Sequence, residues 1–229
     1  TGYKKKFLND VMLDYKRSGF SLSSEERKNV KTVLDKLTEL GLQFDKNIRS
    51  SQDTLYLMED DLTGLSENYK KERLQKDGRY AVDTSYPSYG PFMKLAESDN
   101  AREKLRFKYN NRASDKNITV LDDILRYRMK LVKLLGYKSY AEYRTEDRMA
   151  KNPKNVWSFE NDLKNKLRSK ALLDVAEMLK IKTYRTGKTA KIIHPWEAGY
   201  YQNQVKLKKY ALDGEEVKQY FEFNNVTQG

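Results

Sequence analysis

A chain of 229 residues with 38% apolar and 34% charged side chains is long enough to bury a sizeable core, as one large domain or two small ones. One histidine, His194, and no cysteine exclude disulfides and the two-histidine zinc motif His-Glu-x-x-His within these residues. The formal charge of +12 invites a polyanion as partner, while the lack of any apolar run near the ~20 residues of a membrane span leaves no membrane partner to expect.

In chain order, Phe7, Leu8, Val11, Met12 and Tyr15 recur at helical spacing, and Gly19 closes the segment. Ser23 and Glu26 then have the spacing of a capping box, followed by the stripe Val30, Val33, Leu34, Leu37, Phe44 and Ile48. Residues 1–50 are therefore expected to form an antiparallel helical hairpin with both stripes in the core. The period changes at 54–58, a strand candidate, followed by the acidic turn Glu59-Asp60-Asp61 and Gly64. Residues 66–76 read as a small helix and 79–83 as a second strand able to pair with the first. The segment TSYPSYGP, with Pro87, Gly90 and Pro91, reads as a loop, so 51–97 is a mixed insertion.

Helices resume over 98–182. Asp99 is placed to cap a segment carrying Ala101, Leu105 and Tyr109, and Asn117 precedes the set Leu121, Ile124, Leu125, Leu131, Val132 and Leu135, ended by Gly136. A short helix is expected over 138–147. Asn152-Pro153 opens the longest one, whose inner face begins with Val156, Phe159, Leu163 and Leu167. Thr186-Gly187-Lys188 breaks that pattern, and 183–229 continues as a loop and helices near 197–210 and 214–221. The predicted fold is mainly α, with long antiparallel helices, a small β insertion near residues 54–83, and one continuous helical unit throughout.

Few residues suggest chemistry. The pairs Glu25-Glu26, Asp60-Asp61, Asp122-Asp123 and Glu215-Glu216 cannot act as facing carboxylates on a helix, because adjacent residues point apart; at helix starts they complement the dipole instead. His194, in Ile192-Ile193-His194-Pro195-Trp196, lacks a sequence partner for general-base catalysis and reads as a loop histidine. Tyrosines beside lysines (Tyr3-Lys4, Tyr69-Lys70, Lys209-Tyr210) are explained by amphipathic helices better than by stacking platforms for single strands. Acids are interspersed among the basic residues, as on solvated helix faces, so nucleic acid is not the expected partner. The glycines form no phosphate-binding pattern.

Four stretches in order along the chain resemble the M3 family of zinc metallopeptidases, the group of thimet oligopeptidase, saccharolysin and dipeptidyl carboxypeptidase. They are GFSLSSEERKNVKTVLDKLTELGLQFDKNI; YPSYGPFMKLAESDNAREKLRFKYNNRA, with Tyr86-Pro87, Arg102 and Arg112; LGYKSYAEYRTEDRMAKNP, with Leu135-Gly136-Tyr137, Tyr140-Ala141 and Arg148-Met149-Ala150; and PWEAGYYQNQVKLKKYALDGEEVKQYF, with Trp196, Tyr200 and Tyr201. Glu197 stands where the family usually has aspartate.

The resemblance implies part of a two-lobed helical fold around a channel that admits short peptides, where a zinc-bound water attacks the peptide bond. It also implies a fragment lying before the zinc motif, completed by the remainder of its own polypeptide, with the start at Thr1 fitting an internal boundary. Zinc would belong to the full-length enzyme, with none held here, and none of the family's catalytic or metal residues is carried over. The alternatives are a basic helical nucleic-acid-binding module and a catalytically dead scaffold of the same fold.

Overall fold

A computed structural model describes residues 2–51, 53–211, 214, 217, 219–221 and 223–228. It is mainly helical and divides into two compact units, one of residues 1–51 and 113–167, the other of 52–112 and 168–229.

The first unit contains α1 (Gly2–Arg17), α2 (Ser24–Arg49), α6 (Ser114–Leu134), α7 (Tyr140–Thr145) and the first half of α8 (Pro153–Thr186). The capping box forms as expected: the Glu26 amide donates to Ser23 Oγ at 3.3 Å, and the Ser23 amide donates to Glu26 Oε2 at 2.8 Å. Gly136, at φ +78°, lets the chain turn out of α6. The Tyr137 amide then reaches back to the Val132 carbonyl at 2.8 Å, a bond that needs this left-handed residue.

The packing partner of α2 differs from the expected one. Val30 and Val33 are buried against Leu131 of α6, with Leu37, Tyr127 and Leu135 around them. On α1, Phe7, Leu8, Met12 and Tyr15 are all exposed, so that helix contributes its apolar stripe to no core described here. Its anchor is Arg17, buried at the C-terminal end, which donates to the Tyr143 carbonyl and lies 4.3 Å from the Tyr143 ring centroid.

Asn117 does not stand before α6, which begins at Ser114. It lies inside α6, buried, where Asn47 Nδ2 donates to its Oδ1 at 2.8 Å and its own Nδ2 donates to the Phe44 carbonyl at 3.1 Å. A buried amide needs such partners, and this pair fixes α2 on α6. Likewise Phe159, Leu163 and Leu167 of α8 are exposed rather than inner.

The second unit carries β1 (Thr54–Leu57) and β2 (Tyr80–Asp83), paired antiparallel with Thr54 opposite Asp83. It also holds α3 (Glu67–Lys71), α4 (Tyr86–Leu95), α5 (Asp99–Asn110), the second half of α8 and α9 (Ala198–Tyr210). Leu62, Val82, Phe92 and Leu105 are buried at the centre of its core, and Trp196 packs against it. Gly64, at φ +91°, passes so close to the chain ahead of α5 that a β-carbon there would sit 2.3 Å from the Leu95 carbonyl oxygen.

The expected loop over TSYPSYGP is instead α4. Pro87 sits in its first turn, where an amide would have no helical partner anyway. Pro91 lies inside the helix and cannot donate to the Pro87 carbonyl; Arg73 Nη2 supplies that bond instead, at 3.3 Å. Tyr69 adds a second tie, its hydroxyl donating to the Ser88 carbonyl at 2.7 Å.

Candidate functional site

The densest arrangement of buried charge is in the second unit, where α5, the end of α8 and the start of α9 meet. Ser98 caps α5, accepting from the Ala101 amide at 3.3 Å and donating to Asp61 at 2.7 Å. One turn on, Arg102 is 1% exposed. Its guanidinium donates to the Ala96 carbonyl and to Asp99 Oδ1, the latter at 2.8 Å, while Nε has no partner.

Tyr200, on the first turn of α9 and 2% exposed, faces that guanidinium with its ring centroid 4.3 Å away. Arg185 of α8 lies 5.5 Å from the same ring, so Tyr200 is flanked by two cations. Such contacts between ring face and cation strengthen when water is excluded. The Tyr200 hydroxyl is buried without a hydrogen-bond partner, and burial raises its pKa. Tyr201 stands edge-on to it at 5.2 Å, its pKa raised by burial and then by the charge of Glu197.

Glu197, just before α9, is 2% exposed. It pairs with Lys182 of α8 at 2.6 Å and accepts the His194 amide at 2.7 Å. Lys182 also donates to the Ile192 carbonyl at 3.1 Å. One buried ion pair thus holds the loop from 187 to 197 onto α8. Arg185, three residues after Lys182, donates to Glu97 at 2.9 Å and to Gln204 at 3.4 Å. That i, i+3 spacing puts both cations on one helix face. Trp196 Nε1 reaches Asp99 Oδ2 at 3.3 Å.

The residues singled out in the sequence are mostly structural. His194 stacks on the Trp196 ring with centroids 4.4 Å apart. Arg112 lies 3.7 Å from the Tyr109 ring centroid and donates to the Tyr109 and Thr84 carbonyls; Tyr109 stacks in turn on Tyr89 at 3.8 Å, and Tyr86 is exposed beside it. In the first unit, Tyr137 donates to Glu146, and burial together with that bond pushes its pKa up to about 12. Met149 is fully exposed.

Glu26 belongs to its capping box, Asp61 accepts from Ser98, and Asp122 pairs with Arg126 one turn along α6. Tyr69 is buried under Arg73 and offers no free face. Lys209 pairs with Glu177, Tyr3 and Lys4 are exposed on α1, and Glu215-Glu216 lies outside the described residues. Among the described residues no three histidine, cysteine or carboxylate side chains come together as a metal site, so the described residues do not fit a zinc ion.

Residues 92–229, which take in α5, the second half of α8 and α9 with this whole ring of buried charge, match the sequence pattern of Peptidase family M3. The chain belongs to that family. Oligopeptidase A of Salmonella typhimurium is 27% identical to it over 99% of this chain and 35% of its own length. Saccharolysin of Saccharomyces cerevisiae is 28% identical, over 98% of the chain and 33% of its own length. Mitochondrial intermediate peptidase of Yarrowia lipolytica is 29% identical, over 99% and 29%. The chain spans about a third of the length of the curated relatives it matches.

Proposed function

We propose that this chain is a segment of a zinc-dependent oligopeptidase that hydrolyses short peptides inside a helical channel, and that the segment alone is inactive. The observation that carries the reading is the family match over 92–229, which takes in the buried ion pairs of α5, α8 and α9. Relatives named oligopeptidase A and thimet-like oligopeptidase support short peptides as the substrate class.

The segment's own contribution is rigid framework. Arg102, Lys182 and Arg185 spend their charges on internal partners, so they hold α5, α8 and α9 together rather than meeting a reacting bond. Zinc and its ligands are assigned to the remainder of the polypeptide, which is the segment's natural partner. No catalytic step runs through the residues described here.

The test is a pair of quenched-fluorescence assays with an unstructured peptide of about ten residues, a length a channel admits while excluding folded proteins. A protein that carries this chain together with a His-Glu-x-x-His segment cleaves the peptide and is stopped by a zinc chelator. It leaves a folded protein bearing the same sequence intact. Cleavage of the folded protein at a comparable rate overturns the channel reading.

A further inference from the structure

Two helices of the first unit turn apolar faces outward. On α1, the side that carries the half-buried Leu13 and the buried Arg17 faces the unit. Phe7, Leu8, Met12 and Tyr15 fall on the other side at helical spacing, each between 49% and 70% exposed. On α8, every residue from 157 to 167 is exposed. Phe159, Leu163 and Leu167, four residues apart, form one apolar face there.

That stretch of α8 is three turns of helix with no packed side. Helices below about 12–15 residues are marginal alone in water, and most helical stability in proteins comes from covering an apolar face. The exposed Lys166–Asp162 pair adds little. The faces therefore call for a partner. Each of the three relatives described above carries about two thirds of its own length outside the stretch this chain matches.

We propose that the outward faces of α1 and of the first half of α8 are the surfaces on which the rest of the same polypeptide packs. This rests on the reading of the chain as a segment of a longer oligopeptidase, and it says where on the segment the remainder docks. Partners that meet as separate molecules bury roughly 1,200–2,000 Å² in total, for which one face of a 16-residue helix is small. A covalently linked partner meets the same face at a high effective concentration, so a small face suffices. The charges also favour a polypeptide. Lys4, four residues before Leu8, and Asp14, seven after Phe7, put both signs at the α1 face, and Glu160, three before Leu163, puts a carboxylate within the α8 face. An anionic membrane or a nucleic acid would be repelled by those carboxylates.

The chain has no cysteine, so a single introduced thiol reports on its own position. Met12→Cys and Leu167→Cys place one on each face, and Lys76→Cys on an exposed turn of the second unit is the control. Maleimide labelling, read on the tryptic peptide by mass spectrometry, is compared between this chain and the longer protein that carries it with a His-Glu-x-x-His segment. Peptide cleavage is assayed in parallel. Both face reporters should label as fast as the control in this chain and at least ~10-fold more slowly in the longer protein, while the control stays unchanged. The reporters lie on separate helices, so one remains informative if the other prevents folding. Equal labelling in the two proteins overturns the proposal, and if the longer protein still cleaves peptide the oligopeptidase reading survives without it. Protection without cleavage upholds the docking surfaces and removes the oligopeptidase reading. Labelling of this chain that slows as its own concentration rises gives the faces to a second copy, and also overturns the proposal.

Discussion

Lys182 and Glu197 meet at 2.6 Å with only 15% and 3% of their side chains exposed, and the pair joins α8 to the loop that leads into α9. Removing one partner from such a pair leaves the other charge buried without compensation, which costs more than the pair itself contributes. Lys182→Met is therefore expected to destabilise the second unit by about 3 kcal/mol. Adding Glu197→Gln should restore part of that loss. A double-mutant cycle by urea unfolding measures the coupling, and strictly additive losses would show that the two side chains do not act together.

The Tyr200 hydroxyl is buried with no partner while its ring is held between Arg102 and Arg185. The ring contributes and the oxygen does not. Tyr200→Phe should leave stability unchanged or raise it by about 1 kcal/mol, since an unsatisfied hydroxyl is removed. Tyr200→Leu should lose about 2 kcal/mol or more through lost ring burial and cation contact. A thermal melt in which Tyr200→Phe falls as far as Tyr200→Leu would contradict this and point to a bridging water.

Gly64→Ala is expected to be among the most damaging small substitutions. The backbone at φ +91° disfavours any side chain, and the new methyl would meet the Leu95 carbonyl oxygen, a backbone atom that cannot swing aside. A loss of more than about 2 kcal/mol in chemical denaturation is expected. Gly78→Ala, also at positive φ but with open space around it, should cost less, because only the dihedral penalty applies.

Alkaline pH should weaken the first unit through Tyr137. Its folded pKa is pushed up to about 12, mainly by burial, from the ordinary tyrosine value of about 10. The folded state therefore keeps its proton where the unfolded chain loses it. The stability is fully present below pH 10 and is lost as pH rises towards 12. Burial raises Tyr69 in the same direction in the second unit. Tyr137→Phe should flatten part of the decline in urea midpoints between pH 9 and 11.5, and an identical slope in the variant would contradict the assignment.

What could be read from the sequence was what local rules decide. The box of Ser23 and Glu26, the Gly136 stop and the strand pairing near 54–83 depend on residues a few positions apart, or on one short period change. Helix α4 was hidden because the bond Pro91 cannot make is replaced by Arg73, eighteen residues earlier. The exposed stripe of α1 and the buried Asn117 escaped for a related reason: periodicity gives a face but not the partner that covers it.

The buried cations were the least legible part of the candidate site. Lys182 and Arg185 look like ordinary surface residues until Glu197 and Tyr200 arrive from further along the chain. Arg102, Trp196, Tyr200 and Tyr201 were visible beforehand only through their resemblance to the M3 pattern, which the match over 92–229 bears out. Of the helix expected over 214–221, residues 215, 216 and 218 lie outside the described residues, and Gln219–Phe221 form a 3-10 turn.

The most direct test of the account is to purify this chain, dialyse it against excess zinc and then buffer, and measure bound metal by mass spectrometry beside hydrolysis of a quenched-fluorescent peptide. The account predicts well under one equivalent of zinc and no turnover above the buffer rate, because the described residues gather no ligand set. One tightly bound zinc per chain, with cleavage that a chelator abolishes and zinc restores, would contradict it and place the catalytic centre within these 229 residues.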